Sequence, residues 1–267
     1  MDTRNGRGRT ALVTGASSGI GEAYARELAA RGWDLILVAR RGELLAALAE
    51  ELAGAHGIHA EALPADLSDA EGTARVEACI AACATLDLLV SNAGFNVPGP
   101  LAQADLAAHL AIIAVHVVAS VRLARAALPG MIARGHGALI LMASAIAFLP
   151  AAPGHATYHA TKRYLITLAE DLHAELRSTG VRVQAICPGF VRTHIFDSAG
   201  FERPDGLRRE DIPGWLWTPV ERVVRRSLAA LRGRRVVVVP GLPYQALRIG
   251  APLLRAALPL LVRPRRG

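Results

Sequence analysis

Thr10-Ala11-Leu12-Val13-Thr14-Gly15-Ala16-Ser17-Ser18-Gly19-Ile20-Gly21 is an apolar run that breaks into a glycine-rich turn. Residues of helical period follow it. Such a turn lets the backbone bend tightly and come close to a ligand. The helix after it offers free N–H groups and the positive end of its dipole to a phosphate. The spacing is Gly-xxx-Gly-x-Gly, which differs from the commoner Gly-x-Gly-xx-Gly dinucleotide fingerprint. On this reading Gly15, Ser17, Ser18, Gly19, Ile20 and Gly21 are candidate phosphate-binding residues.

The same alternation continues along the chain. Apolar runs at Thr10–Thr14, Asp34–Ala39, His59–Pro64, Leu86–Ser91, Ala138–Ala143, Val181–Cys187 and Arg235–Val239 read as strands covered on both faces. Helical periods fill the gaps at Ile20–Arg31, Glu43–Ala55, Ala70–Cys83, Leu101–Arg134, Tyr158–Ser178 and Pro219–Leu231. Strands alternating with helices predict a single α/β domain: a Rossmann-type, doubly wound parallel sheet with helices on both faces. The domain is expected over 1–241. Residues 190–217, rich in Gly, Pro, Arg and Trp, are too long for an ordinary connection and are read as a substrate lid. Residues 242–267 form an apolar and then basic tail.

Composition narrows the function. The 267 residues carry 30 Lys and Arg against 23 Asp and Glu, a formal net charge of +7. The basic residues are spread along helices and form no stripe, so no nucleic-acid partner is expected. Cys79, Cys83 and Cys187 have no histidine or further cysteine at ligand spacing, so neither a metal site nor a disulfide framework is expected. The charged N-terminus leads straight into the first strand, without the apolar core of a signal peptide. A cytoplasmic location is expected.

Two further patterns bear on chemistry. The second strand ends at Ala39-Arg40-Arg41, where NAD-binding folds place an acidic residue for the ribose 2′-hydroxyl. Guanidinium groups suit a 2′-phosphate, so Arg40 and Arg41 point to NADP(H). Tyr158-His159-Ala160-Thr161-Lys162 places Tyr158 and Lys162 on one helical face. A nearby ammonium is expected to lower the phenol's pKa, which makes Tyr158 a candidate proton-transfer group. Lys162 is the sole lysine in a chain whose other basic residues are arginines, which suggests that arginine does not serve there. Ser144, just after the fifth strand, is positioned to bond a substrate oxygen. Taken alone, Tyr-x-x-x-Lys is a common helical surface pairing.

With these motifs in this order, the sequence resembles the short-chain dehydrogenase/reductase family from about Thr10 to Gly241. The matching residues are Thr14–Gly21, Asp66-Leu67, Asn92-Ala93-Gly94, Ser144, Tyr158 with Lys162, and Pro188-Gly189-Phe190-Val191-Arg192-Thr193. The resemblance implies that Asp66, with the Leu67 amide, meets the adenine. It implies that Asn92, Ala93 and Gly94 steady the sheet and line the cofactor, and that Pro188, Gly189, Val191 and Thr193 flank the nicotinamide and pyrophosphate. Tyr158 would exchange the proton, Ser144 would hold the carbonyl or alcohol oxygen, and Lys162 would bind the nicotinamide ribose.

One position departs from the family pattern. His116 stands where members usually carry Asn, whose side chain helps position a water in a proton relay. A histidine either keeps a relay in altered, titratable form or fills the space.

The expected reaction is hydride transfer between NADP(H) and a hydrophobic carbonyl or secondary alcohol, in the sense of a ketoreductase. The alternatives are an NAD-dependent alcohol dehydrogenase and a non-catalytic NADP(H)-binding protein. The resemblance also implies a homodimer or homotetramer. The tail Leu242–Val262, followed by Arg263, Arg265 and Arg266, suggests either packing on protein or peripheral contact with an anionic membrane. Pro252 and Pro259 are expected to kink or shorten any helix there.

Overall fold

A computed structural model describes Met1, Thr3, residues 6–192 and residues 212–261. The sheet has seven parallel strands in the order β3-β2-β1-β4-β5-β6-β7. They are β1 (Thr10–Thr14), β2 (Asp34–Ala39), β3 (Ala60–Pro64), β4 (Leu86–Ser91), β5 (Gly137–Met142), β6 (Val181–Ile186) and β7 (Val237–Val238). The helices are α1 (Gly19–Ala29), α2 (Gly42–His56), α3 (Ala70–Ala82), α4 (Leu106–Ile113), α5 (Ser120–Arg134), α6 (Ala156–Glu175), α7 (Val220–Ala230) and α8 (Leu242–Leu261). The fold is the expected doubly wound one.

The unbroken apolar runs have a direct cause. Successive side chains of a strand point to opposite faces, and both faces are covered. Leu12, Leu89, Leu139 and Val183 face the layer containing Val76 of α3, Leu123 of α5 and Leu165 of α6. Ala11, Val13, Leu88, Val90 and Ile140 face the layer containing Leu28 of α1, Leu45 of α2 and Val223 of α7. Each fully buried Val or Leu contributes about 1.5–3 kcal/mol, so a polar residue at any of these positions weakens the sheet that carries the site.

Several boundaries differ from the sequence reading. The long helix expected from Leu101 begins at Leu106, where the Asp105 side chain accepts the Ala107 N–H. It is then interrupted by a π-helical turn, Ala114–Ala119, before α5. Periodicity cannot reveal such a turn, because it adds one residue without changing the apolar character. By length and composition Leu106–Arg134 is long and apolar enough to cross a membrane, but α4 packs on α6, and α5 packs on α3, β4 and β5. β7 pairs only at Val237 and Val238, as it forms the sheet edge and has one neighbour. The tail is helical through Pro252 and Pro259 to Leu261. Each proline removes one backbone donor without ending the run, so the expectation of a shortened helix is not met.

Candidate active site

The C-terminal ends of β1, β4, β5 and β6 converge on one edge of the sheet. The strand order reverses between β1 and β4, and ligands of open α/β sheets bind in the crevice formed there. The candidate loops leave these strands and the neighbouring β2 and β3.

The first wall is the glycine turn. Gly15 has φ +67°, and a β-carbon on it would fall 2.9 Å from the Ala93 Cα. A β-carbon on Gly21 would fall 2.2 Å from the Gly15 carbonyl oxygen. Both positions therefore require glycine, the first for conformation and space and the second for space alone. Ser18 precedes α1 in extended conformation, and its side chain caps none of the first N–H groups. Those donors and the close-packed glycine backbone fit a dinucleotide phosphate.

Thr14 and Asn92 lock the ends of β1 and β4 together. The Thr14 Oγ1 accepts from the Asn92 N–H and the Ala93 N–H, both at 2.9 Å. The Asn92 Nδ2 donates to the Thr14 carbonyl at 2.8 Å. The sequence reading gave Thr14 no separate role. Its place at the last position of an apolar strand, where a valine would satisfy the pattern, is the available signal.

The second wall carries the two arginines. Arg41 Nη2 donates to the Ser17 Oγ and Ser18 Oγ, each at 3.0 Å. Arg40 has 71% of its side chain exposed and lies 4.0 Å from an Asp66 carboxylate oxygen. Asp66 accepts from the Ser68 N–H at 2.9 Å and hydroxyl at 2.7 Å. Burial alone would raise the Asp66 carboxyl, but the Ser68 bonds and the Arg40 charge outweigh it and hold it below its usual value. Leu67 is buried in the core. The arginines and the carboxylate thus sit together at the ends of β2 and β3, ready to meet an anion and a hydrogen-bond donor.

The reactive cluster lies beyond β5 and at the start of α6. Ser144 leaves β5 in extended conformation, and its Oγ accepts the Ile146 N–H at 3.3 Å. Tyr158 stands in the first turn of α6, because that helix begins at Ala156 and not at Tyr158 as the sequence suggested. Burial pushes the Tyr158 phenol above its ordinary value, and a hydrogen bond with Ser144 pulls the other way. Lys162 is 3% exposed. Its Nζ lies 5.4 Å from the Tyr158 ring centroid and donates to the Met142 carbonyl at 2.8 Å. Burial pulls its pKa down to about 7. The expectation that Lys162 lowers the Tyr158 pKa is therefore not met: desolvation dominates both groups.

His116 falls inside the π-helical turn and is 1% exposed. Its Nε2 accepts the Phe95 N–H at 3.2 Å. An accepting Nε2 in a neutral ring leaves the proton on Nδ1, which lies 2.9 Å from the Thr161 Oγ1. The Thr161 hydroxyl in turn donates to the Tyr158 carbonyl at 2.9 Å. The ring also meets Tyr158 edge-on, with centroids 5.6 Å apart. Burial, reinforced by the Lys162 charge, pulls the His116 pKa down to about 2. The ring is therefore neutral at neutral pH and braces the loop after β4 against α6. Gly94 leaves room for it, since a β-carbon there would fall 2.5 Å from Nε2.

Pro188 and Gly189 follow β6, and the Pro188 carbonyl accepts the Ala145 N–H at 2.8 Å, tying that turn to Ser144. Val191 forms a bridge with Thr218. Thr193 and most of the expected lid, residues 193–211, lie outside the described residues. Among the described residues no group of three or more His, Cys, Asp or Glu is arranged to hold a metal.

Residues 9–203 match the short chain dehydrogenase family. An uncharacterized oxidoreductase of Myxococcus xanthus is 39% identical over 204 residues, 76% of this chain and 80% of the relative. A short-chain dehydrogenase from Sphingobium yanoikuyae, solved in complex with NADPH, superposes with a TM-score of 0.82 at 34% identity, over 97% of this chain and 98% of that one. A short chain dehydrogenase/reductase from Burkholderia phymatum, solved in complex with NAD, gives 0.80 at 26% identity over 100% and 99% of the two chains. The chain belongs to the short-chain dehydrogenase/reductase family, and it is an oxidoreductase of that family.

Proposed function

We propose that this protein is an NADP(H)-dependent ketoreductase acting on a hydrophobic ketone or aldehyde. The grouping of Ser144 and Tyr158 with a buried Lys162, whose Nζ lies 5.4 Å from the Tyr158 ring centroid, carries this reading. A bound nicotinamide supplies the hydride. Ser144, whose Oγ is already held by the Ile146 N–H, donates its hydroxyl proton in a hydrogen bond to the substrate oxygen. Tyr158 transfers its proton to the same oxygen as the carbonyl carbon is reduced. Burial keeps this phenol protonated at neutral pH, which suits a proton donor and therefore reduction. In the opposite direction Tyr158 must first lose its proton, so alcohol oxidation is favoured at higher pH.

Lys162 would hold the nicotinamide ribose through the donors left over from its bond to the Met142 carbonyl. Gly15 to Gly21 would hold the pyrophosphate, Asp66 the adenine, and Asn92, Ala93 and Gly94 the floor of the cleft. Pro188, Gly189, Val191 and Thr193 would flank the nicotinamide. The pair Arg40 and Arg41 supports NADP(H) over NAD(H). The aromatic contact between Phe190 and Trp217, with centroids 5.6 Å apart, supports an apolar substrate. Residues 190–217 would close over it.

An apolar stripe along α4, the π-helical turn and α5, including Leu106, Leu110, Val118 and Val121, is exposed. It supports assembly into a homodimer or homotetramer. Tyr244 and Ala251 of α8 are buried, and Leu247 packs against the core. These contacts favour the protein-packed reading of the tail over a peripheral membrane one.

The test is a titration of NADPH and NADH followed by a panel of carbonyl compounds. The expected result is tighter NADPH binding and NADPH consumption with bulky apolar ketones or aldehydes. Equal affinity for the two dinucleotides would return the assignment to an NAD-dependent alcohol dehydrogenase. Tight NADPH binding with no turnover on any carbonyl or alcohol would favour a non-catalytic binding protein.

A further inference from the structure

Tyr244 lies on α8, beyond the last motif by which the chain resembles its family. Its ring is buried, and α8 packs on the Ala145–Phe148 turn that begins at Ser144. The Tyr244 hydroxyl accepts the Phe190 N–H at 3.0 Å and donates to the Leu216 carbonyl at 2.8 Å. One phenol thus joins the start and the end of the segment 190–216. The same ring lies against Gly189, where a β-carbon would fall 1.9 Å from Cζ and 2.1 and 2.3 Å from the two Cε atoms. Gly189 is not among the glycines of positive φ. The backbone conformation therefore admits any residue at this position, and it is the Tyr244 ring that demands glycine.

These contacts lead to the reactive groups in two steps. Gly189 and Phe190 follow Pro188, whose carbonyl accepts the Ala145 N–H at 2.8 Å. Ala145 follows Ser144. From the other side the Thr218 N–H donates to the Phe190 carbonyl at 2.8 Å, which closes the backbone around the phenol. Tyr244 thus contacts the Pro188–Phe190 turn, and that turn is bonded to the residue after Ser144.

We propose that Tyr244 is a positioning residue for the redox reaction: it fixes the Pro188–Phe190 turn against the nicotinamide and, through Ala145, sets the Ser144 hydroxyl. α8 is then part of the active-site scaffold. The proposal rests on the reading that this turn flanks the nicotinamide.

Tyr244→Phe keeps the ring on Gly189 and deletes both hydroxyl bonds. In the full chain the expected result is a three- to tenfold rise in the NADPH dissociation constant, read by nucleotide fluorescence, and a tenfold or larger fall in kcat. The substrate KM changes by less than twofold. Hydrogen exchange in the nucleotide-free protein is expected to speed up at the Phe190 and Ala145 amides, while peptides from α2 are unchanged. Gly189→Ala is expected to weaken NADPH binding at least as much. Unchanged NADPH affinity, kcat and Ala145 exchange in Tyr244→Phe would overturn the proposal. If the parent protein binds neither NADPH nor NADH, the proposed function falls, and the exchange at Ala145 alone decides whether Tyr244 sets the serine turn.

Discussion

Replacing Lys162 with methionine separates what the active site needs from what the fold tolerates. Burial takes the Lys162 pKa from 10.5 to about 7. Below pH 7 the folded protein must hold an ammonium that the unfolded chain solvates better. At about 1.4 kcal/mol per pH unit, that opposes folding by roughly 4–5 kcal/mol. Between pH 7 and 10.5 the unfolded chain binds a proton that the folded protein lacks, so stability rises with pH across this window. The cost is complete below it and vanishes above it. Methionine fills similar space without a charge, but leaves the Met142 carbonyl without the 2.8 Å bond it now accepts, a loss of about 1–3 kcal/mol. The net expectation at pH 6 is that Lys162→Met is more stable by roughly 1–4 kcal/mol and inactive. Denaturant titrations of both nucleotide-free proteins at pH 6, 7, 8 and 9 provide the assay. The parent is expected to gain roughly 2–3 kcal/mol on the variant between pH 6 and 9. A variant less stable than the parent at pH 6, by an amount that does not change with pH, contradicts a destabilising buried ammonium at Lys162.

Other expectations follow from the same geometry. Arg40→Ala and Arg41→Ala are each expected to weaken NADPH binding by about tenfold, at the lower end of charge-assisted bonds because both side chains are exposed, with NADH binding nearly unchanged; parallel fluorescence titrations check this. Since burial holds the His116 pKa near 2, His116→Asn is expected to leave the pH–rate profile between pH 5 and 9 unshifted; an inflection present only in the parent contradicts the neutral-brace assignment. The same variant is expected to lose about 1–3 kcal/mol of stability if asparagine cannot reach both the Phe95 N–H and Thr161, which thermal unfolding measures. Gly21→Ala is expected to abolish nucleotide binding, because its methyl meets the Gly15 carbonyl oxygen at 2.2 Å; binding retained at parental affinity contradicts the close-packed turn.

The doubly wound sheet was legible because burial on both faces leaves unbroken apolar runs, and because Gly15, Gly19 and Gly21 mark where β1 turns into α1. The pairing of Tyr158 with Lys162 was legible from helical spacing, and the sole lysine marked a position where arginine does not serve; the burial of both groups was not legible. Three features were not legible. The π-helical turn around His116 adds one residue to a helix without disturbing its apolar character, so the sequence gives no warning of it. The tautomer of His116 depends on the Phe95 N–H, a backbone group supplied by a loop 21 residues earlier. Tyr244 lies in a tail whose sequence left protein packing and membrane contact both open, and its two partners are backbone atoms, which no side-chain pattern reveals. The direction of the Tyr158 pKa was misjudged for a related reason: spacing places a charge near the phenol, but only the fold says how much water is removed from both.

In the proposed nicotinamide-dependent carbonyl reduction, Tyr158 delivers the proton. Single-turnover oxidation of bound NADPH by a carbonyl substrate, compared between the parent and Tyr158→Phe at matched nucleotide saturation, tests it most directly. Tyr158→Phe is expected to bind NADPH within about twofold of the parent and to lose at least about three orders of magnitude in rate, the upper range of a general-acid contribution. A Tyr158→Phe rate within tenfold of the parent, at full nucleotide occupancy, contradicts it.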